Sequence, residues 1–186
     1  MMLNPIHRKL PLADDALYEI VDGEKIEVGP MSRLAGQVAV NIIGSIRDWQ
    51  KVHPDIGTLC TEDLFFMPIT GRSRRPDVAF ISFAKMPYEE VIEPEGDYPM
   101  APDLAVEVIS PNDLDKEIQS KLRDYFANGV QQVWHVRPED RSVTVYDSPK
   151  IDRILDGQDR LQSPVLPGFD IAVESLFPQL KADKTA

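Results

Sequence analysis

The sequence predicts an α/β fold: a mixed central β-sheet flanked by two main helices, with additional β-hairpins. Three observations predict it. Residues 104–109, LAVEVI, form a near-continuous apolar run, the mark of a strand covered on both faces. Two longer stretches, about 31–52 and 113–128, repeat apolar residues at helical spacing. Short β-branched and aromatic segments elsewhere are separated by tight-turn signals.

Residues 1–16 read as an irregular lead-in to a single domain spanning 1–186. In 17–29, LYEIVDGEKIEVG, Asp22-Gly23 between alternating segments predicts a type I′ hairpin. That turn places Glu19 opposite Ile26 and Val21 opposite Glu24. Glu19, Val21, Glu24, Ile26 and Val28 then share one face, where two carboxylates either meet solvent or serve a site. Ser32 is a candidate N-cap for a helix with Leu34, Val38, Ile42, Ile46 and Trp49 on its apolar stripe. Gly36 and Gly44 weaken that helix locally. His53-Pro54 ends it, with His53 favourably placed at the helix C-terminus when protonated.

Residues 57–68 read as one partly alternating strand, with Glu62 and Asp63 either exposed or accessory acids. Arg72, Arg74 and Arg75 form a cluster that suits a solvated loop or a phosphate contact. Pro76 then opens a short strand at 77–82, since proline is tolerated at a strand's first residue. Residues 83–101 carry five carboxylates and three prolines, an acidic excursion suited to a flap or a dimer contact. After the 102–110 strand, Ser110-Pro111-Asn112 supplies a stop and candidate caps. The following helix buries Leu114, Ile118, Leu122 and Tyr125/Phe126, and Asn128-Gly129 ends it. Residues 131–138 and 142–148 form a hairpin in which Trp134 faces the core. His135 on the other face has two readings: it reaches the site, or, the favoured one, it is a satisfied or exposed histidine. Further short strands occupy 150–170, a closing helix 174–180, and a frayed tail 181–186.

A chain of 186 residues with 42% hydrophobic content can bury a sizeable core. No apolar run approaches the ~18–20 residues needed to span a bilayer. The N-terminal stretch has no long apolar segment of the signal-peptide kind. Cys60 stands alone, which excludes an intrachain disulfide and a cysteine-built zinc cage and fits a cytoplasmic protein. The formal net charge of −11 opposes broad nucleic-acid affinity, although local charge sets the field at a site.

Glu107 is the residue that needs explaining. Side chains alternate along a strand, so Asp103, Ala105, Glu107 and Ile109 share one face, and Leu104, Val106 and Val108 the other. A carboxylate buried there is costly unless it pairs with a cation or coordinates a metal. Asp77 stands at the entrance of a neighbouring strand. Lys121 sits at the edge of the next helix's apolar stripe, where its stem can cross apolar surface to reach the strand end.

Several segments together resemble the PD-(D/E)xK nuclease superfamily, and more closely the Uma-type family of restriction-endonuclease-like proteins. They are YEIVDGE (18–24), RRPDVAFI (74–81), PDLAVEVISPN (102–112), Lys121 with Tyr125 four residues on, NGVQQVWHVRP (128–138) and SPVLPGFDIAVESLF (163–177). The resemblance covers most of the chain. It implies a restriction-endonuclease-like core with Asp77 and Glu107 as metal-binding acids and Lys121 as the catalytic lysine. It also implies an accessory acid from the first hairpin, Glu24 in preference to Glu19, and a metal contact from the Val108 carbonyl. Two departures stand out. Ile109 occupies the position two residues after the second acid, where the superfamily lysine belongs; the Uma-type family is similar to this chain in carrying that lysine on the following helix. Lys116 is the second candidate. Gly36 stands where related sequences often have histidine.

The function this implies is Mg²⁺-dependent endonuclease hydrolysis of DNA, with Mn²⁺ as a substitute metal and a homodimer to cut two strands. The other reading is a non-catalytic binding or scaffold protein that keeps the nuclease fold.

Overall fold

The computed structural model describes residues 16–91 and 96–179. The expected lead-in and frayed tail, and the centre of the acidic excursion, lie outside these residues. The elements run β1 (Tyr18–Val21), β2 (Glu24–Glu27), α1 (Arg33–Gln50), β3 (Gly57–Cys60), β4 (Phe65–Met67), β5 (Arg72–Arg74), β6 (Val78–Ser82) and a one-turn α2 (Tyr88–Val91). They continue with β7 (Leu104–Val108), α3 (Asp115–Ala127), β8 (Gln132–Arg137), β9 (Ser142–Ser148), β10 (Ile151–Asp156), β11 (Arg160–Gln162), β12 (Asp170–Ala172) and a closing 3₁₀ turn, Val173–Leu176.

The central sheet has six strands in the order β10-β9-β8-β7-β6-β3. It is mixed: β7 and β8 are parallel, and the other neighbours are antiparallel. The parallel pair requires a crossover, and α3 provides it. Both faces are covered, as the apolar run of β7 requires. On one face Leu104, Val106 and Val108 pack with Val38, Ile42 and Ile46 of α1. On the other, Ala105 packs with Leu122 and Tyr125 of α3 and with Phe65 and Met67 of β4. Val38, Ile42 and Ile46 are at most 1% exposed, and burying each contributes about 1.5–3 kcal/mol. That docking, rather than propensity, holds a helix containing two glycines. Ser32 caps it, its hydroxyl accepting from the Ala35 N–H at 3.1 Å. The apolar stripe begins at Ala35, because Leu34 is 38% exposed.

The first hairpin has the expected register, with Glu19 opposite Ile26 and Val21 opposite Glu24. Asp22 and Gly23 have φ of 53° and 80°, as a type I′ turn demands. The hairpin belongs to a second sheet, ordered β2-β1-β5-β4.

Three expectations are corrected. Residues 57–68 form two strands in different sheets, because the chain turns at Glu62, which has φ of 53°. The arginine cluster is no loop: Arg72–Arg74 is strand β5, between β1 and β4. The Ser110–Asn112 segment does not cap α3 with a side chain. Leu114 occupies the cap position, and Asp113 accepts instead from the Ser110 N–H at 2.7 Å.

Gly57 lets the edge strand β3 lie against β6. A Cβ there would sit 2.2 Å from the Ile81 carbonyl oxygen and 2.5 Å from the Phe80 ring. Backbone cannot yield as a side chain can. Gly57→Ala is expected to destabilise the fold by about 1–3 kcal/mol, lowering the melting temperature by roughly 2–12 °C. A thermal melt of that variant checks it, and an unchanged midpoint would refute the close approach.

Candidate active site

Glu107 lies in the middle of the covered sheet, and the face rule for β7 turns it toward α3. It is 6% exposed. Its two oxygens have different partners: the buried Tyr125 hydroxyl donates to Oε1 at 2.5 Å, and the Lys121 ammonium donates to Oε2 at 3.1 Å. Lys121 and Tyr125 are four residues apart on α3, so they project from one helix face. Asp77 stands just before β6. Its Oδ2 accepts from the Val108 N–H at 2.6 Å, joining the start of β6 to the end of β7.

Lys121 also contacts Glu19 Oε1 at 2.9 Å. Glu19 accepts in addition from Arg74 Nη1 at 2.8 Å and from the Arg75 N–H at 3.1 Å. Arg74 in turn lies 2.5 Å from Asp124, which also pairs with Arg72 at 3.3 Å, and Arg72 reaches Asp22 at 2.7 Å. A charge-alternating chain therefore runs from Glu107 through Lys121, Glu19, Arg74 and Asp124 to the surface. Arg75 donates to the carbonyls of Tyr18 and Glu62. The three arginines thus serve internal partners, in place of the solvent or phosphate expected for them.

A cleft of about 440 Å³ opens over these groups, lined by Glu19, Asp77, Glu107, Val108, Lys121 and His135 among others. Burial pushes the Glu107 carboxyl up to about 7; the Lys121 charge opposes that rise, and the nearby Asp77 and Glu19 add to it. Burial also raises Asp77, against the pull of the Val108 N–H and Lys121. For Glu19 burial acts upward too, but Lys121 and Arg74 outweigh it and hold the carboxyl below its ordinary value. Lys121 loses to burial but gains more from Glu107 and Glu19, and remains firmly protonated.

The structure brings Asp77, Glu107, Val108 and Lys121 together. Lys116 is exposed and does not line the cleft. Glu24 is not brought in either. Both hairpin acids share a face, but Glu24 adjoins the turn on an exposed edge strand. Glu19 is on the strand hydrogen-bonded to β5, which carries it over Arg74 and Lys121. Of the two hairpin acids, Glu19 is the one that lines the cleft. His135 departs from its favoured reading and lines the cleft: it is buried, and neither ring nitrogen has a hydrogen-bond partner among the described residues. Burial, with Arg137 and Lys121 nearby, lowers its pKa to about 4, so the ring is neutral at neutral pH. Sequence reasoning missed the roles of Arg74 and Asp124. Tyr125 had a legible signal, one helical turn beyond Lys121.

Among the described residues no three His, Cys, Asp or Glu side chains are arranged to enclose a metal. The donor set is an open one: two carboxylates with the Val108 backbone beside them. The chemistry fits a hard divalent cation that retains several waters. Lys121 pairs directly with Glu19 and Glu107 in the cleft, and burial still holds Asp77 and Glu107 above their ordinary values against its charge.

Two outcomes follow. Arg74→Met removes the cation shared by buried Glu19 and Asp124 and leaves them only Lys121 and Arg72; it is expected to destabilise the fold by up to about 3–5 kcal/mol in a denaturant titration. Glu107 binds its proton more tightly folded than unfolded. Its contribution to stability is complete below its ordinary value of 4.5 and is lost as pH rises through about 7. This amounts to about 3 kcal/mol. In metal-free melts between about pH 5.5 and 7.5, wild type should lose stability relative to Glu107→Gln; parallel curves would contradict the burial argument.

Comparison with known proteins places this architecture. One solved relative in fold is described as a putative nuclease belonging to DUF820 from Anabaena variabilis ATCC 29413. It is 20% identical, covers 91% of this chain and 93% of its own, and superposes with a TM-score of 0.76. No curated protein sequence matches. The sequence profile of the Uma2 family, described as "Putative restriction endonuclease", matches residues 7–174. The chain belongs to the Uma2 family.

Proposed function

We propose that this protein is a divalent-metal-dependent endonuclease that hydrolyses phosphodiester bonds in DNA. The observation that carries the proposal is the convergence of Asp77, Glu107 and Lys121 in one cleft from three separate elements. Asp77 and Glu107 hold Mg²⁺, or Mn²⁺ in its place, through carboxylate oxygens, and the Val108 carbonyl adds a further oxygen. The chemistry supplied by such a cation is polarisation of the phosphoryl group and a lowered pKa for the attacking water. Lys121 carries three ammonium donors. Glu107 and Glu19 engage two of them, which leaves one for a phosphoryl oxygen as negative charge develops. Glu19 and Arg74 keep that ammonium in register. Tyr125 fixes the Glu107 carboxylate.

Charge supports the dependence on metal. The chain carries −11 overall, and Arg72, Arg74 and Arg75 are committed to internal partners. Lys121 alone is a weak counter-charge for a phosphodiester approaching several acids. A bound cation supplies the difference. Two copies of the chain, each contributing one cleft, would cut both strands of a duplex.

The expected outcome is that Asp77→Ala and Glu107→Ala each abolish Mg²⁺-dependent cleavage of DNA while keeping cooperative melting. Wild-type cleavage by either variant would remove the proposal. A second reading, a non-catalytic scaffold, is favoured by one observation: both Glu107 oxygens already hold protein donors. Retention of uncleaved DNA, or of no DNA at all, at millimolar Mg²⁺ and Mn²⁺ would decide for that reading.

A further inference from the structure

His135 is the polar group in the cleft whose needs the chain leaves unmet. It sits in the middle of β8, directly beside Glu107 in the parallel ladder. It is fully buried and lines the cleft, and among the described residues neither ring nitrogen has a hydrogen-bond partner. Its ring meets the edge of Tyr146 at 4.8 Å between centroids. Its strand neighbours Val133 and Val136 are buried and apolar, so an aliphatic side chain would suit the position better. Buried polar groups are normally paired, and an unpaired one costs stability.

Most of the surrounding carboxylate oxygens are engaged. Glu107 and Glu19 receive donors on both oxygens, and Asp77 Oδ2 takes the Val108 N–H. A neutral imidazole carries one donor and one acceptor nitrogen. Among the described residues nothing supplies its partner, and the cleft that the ring lines can hold one. Among the described residues Asp77, Glu107 and His135 do not enclose a metal directly, so the ring is read as a partner to the metal's water and not as a ligand.

We propose that His135 is a positioning residue of the metal site, its ring nitrogen accepting a hydrogen bond from a water carried by the divalent cation on Asp77 and Glu107. This rests on the metal-dependent reading above. His135 then exchanges stability of the metal-free fold for cation affinity, and outer partners of this kind change metal affinity about 10–100-fold.

The test is calorimetric titration of the full chain with MnCl₂, with metal-free melts of the same proteins. Wild type is expected to bind Mn²⁺, and Asp77→Asn to lose binding. His135→Leu is expected to melt higher than wild type without metal, yet to bind Mn²⁺ about 10–100-fold more weakly. His135→Gln, which keeps an acceptor, is expected to recover part of that loss. Wild-type affinity in His135→Leu, with binding lost in Asp77→Asn, would overturn the role of His135 and leave the metal reading standing. A lower melting point with unchanged affinity would show a merely structural ring and overturn it equally. Failure of wild type to bind Mn²⁺ would overturn both. If the leucine variant does not fold, His135→Phe, which keeps a ring against Tyr146, is judged by the same outcomes.

Discussion

The structure depends on one constraint: a carboxylate, Glu107, is buried in the middle of a sheet covered on both faces. An unpaired charge at that depth would cost several kcal/mol, so the surroundings are built to meet it. Tyr125 and Lys121 come from one face of α3 and occupy its two oxygens. This fixes the rotation of α3 about its axis. It also explains the crossover, because the parallel pairing of β7 and β8 places α3 over the face on which Glu107 points.

The second sheet answers the next demand. Lys121 is itself largely desolvated and needs a second anion, which Glu19 supplies from β1. Glu19 then needs Arg74, and Arg74 needs Asp124, which returns the chain of charges to α3. The first hairpin, the arginine strand and the helix are thus locked by ion pairs as well as by apolar packing. Such pairs contribute modestly in net terms, but removing one member is severe. They hold Lys121 to one position over the cleft, and preorganised donors of this kind are what electrostatic catalysis needs.

Much of this was legible in the sequence. The alternation in 102–110 assigns Glu107 to the face opposite Leu104 and Val106, and the two cores divide along that line. Asp22-Gly23 specified both the turn and the register, since few residue pairs accept two positive φ angles. Lys121 at a stripe's edge reaches the strand end as its stem length allows. The parts that were not legible depend on assembly. Glu19 and Glu24 share a hairpin face, and only the docking of β5 beside β1 decides which one is covered. Arg74 looks like any surface arginine until β5 is sandwiched between β1 and β4. The 57–68 segment hides a sheet switch, because alternation continues across the turn at Glu62. Strand alternation allowed His135 to reach the site, but an ordinary histidine was the favoured reading because nothing in sequence reports an absent partner.

The central claim is that Asp77 and Glu107 form a divalent-cation site with Lys121 beside it. The most direct measurement is a crystal soaked in Mn²⁺, with anomalous density read in the cleft. The account predicts a peak held by Asp77 and Glu107, with the Lys121 ammonium still paired to Glu19. A clean cleft at millimolar Mn²⁺, with Lys121 and Tyr125 unmoved on Glu107, would contradict it and leave Glu107 as a structural anion.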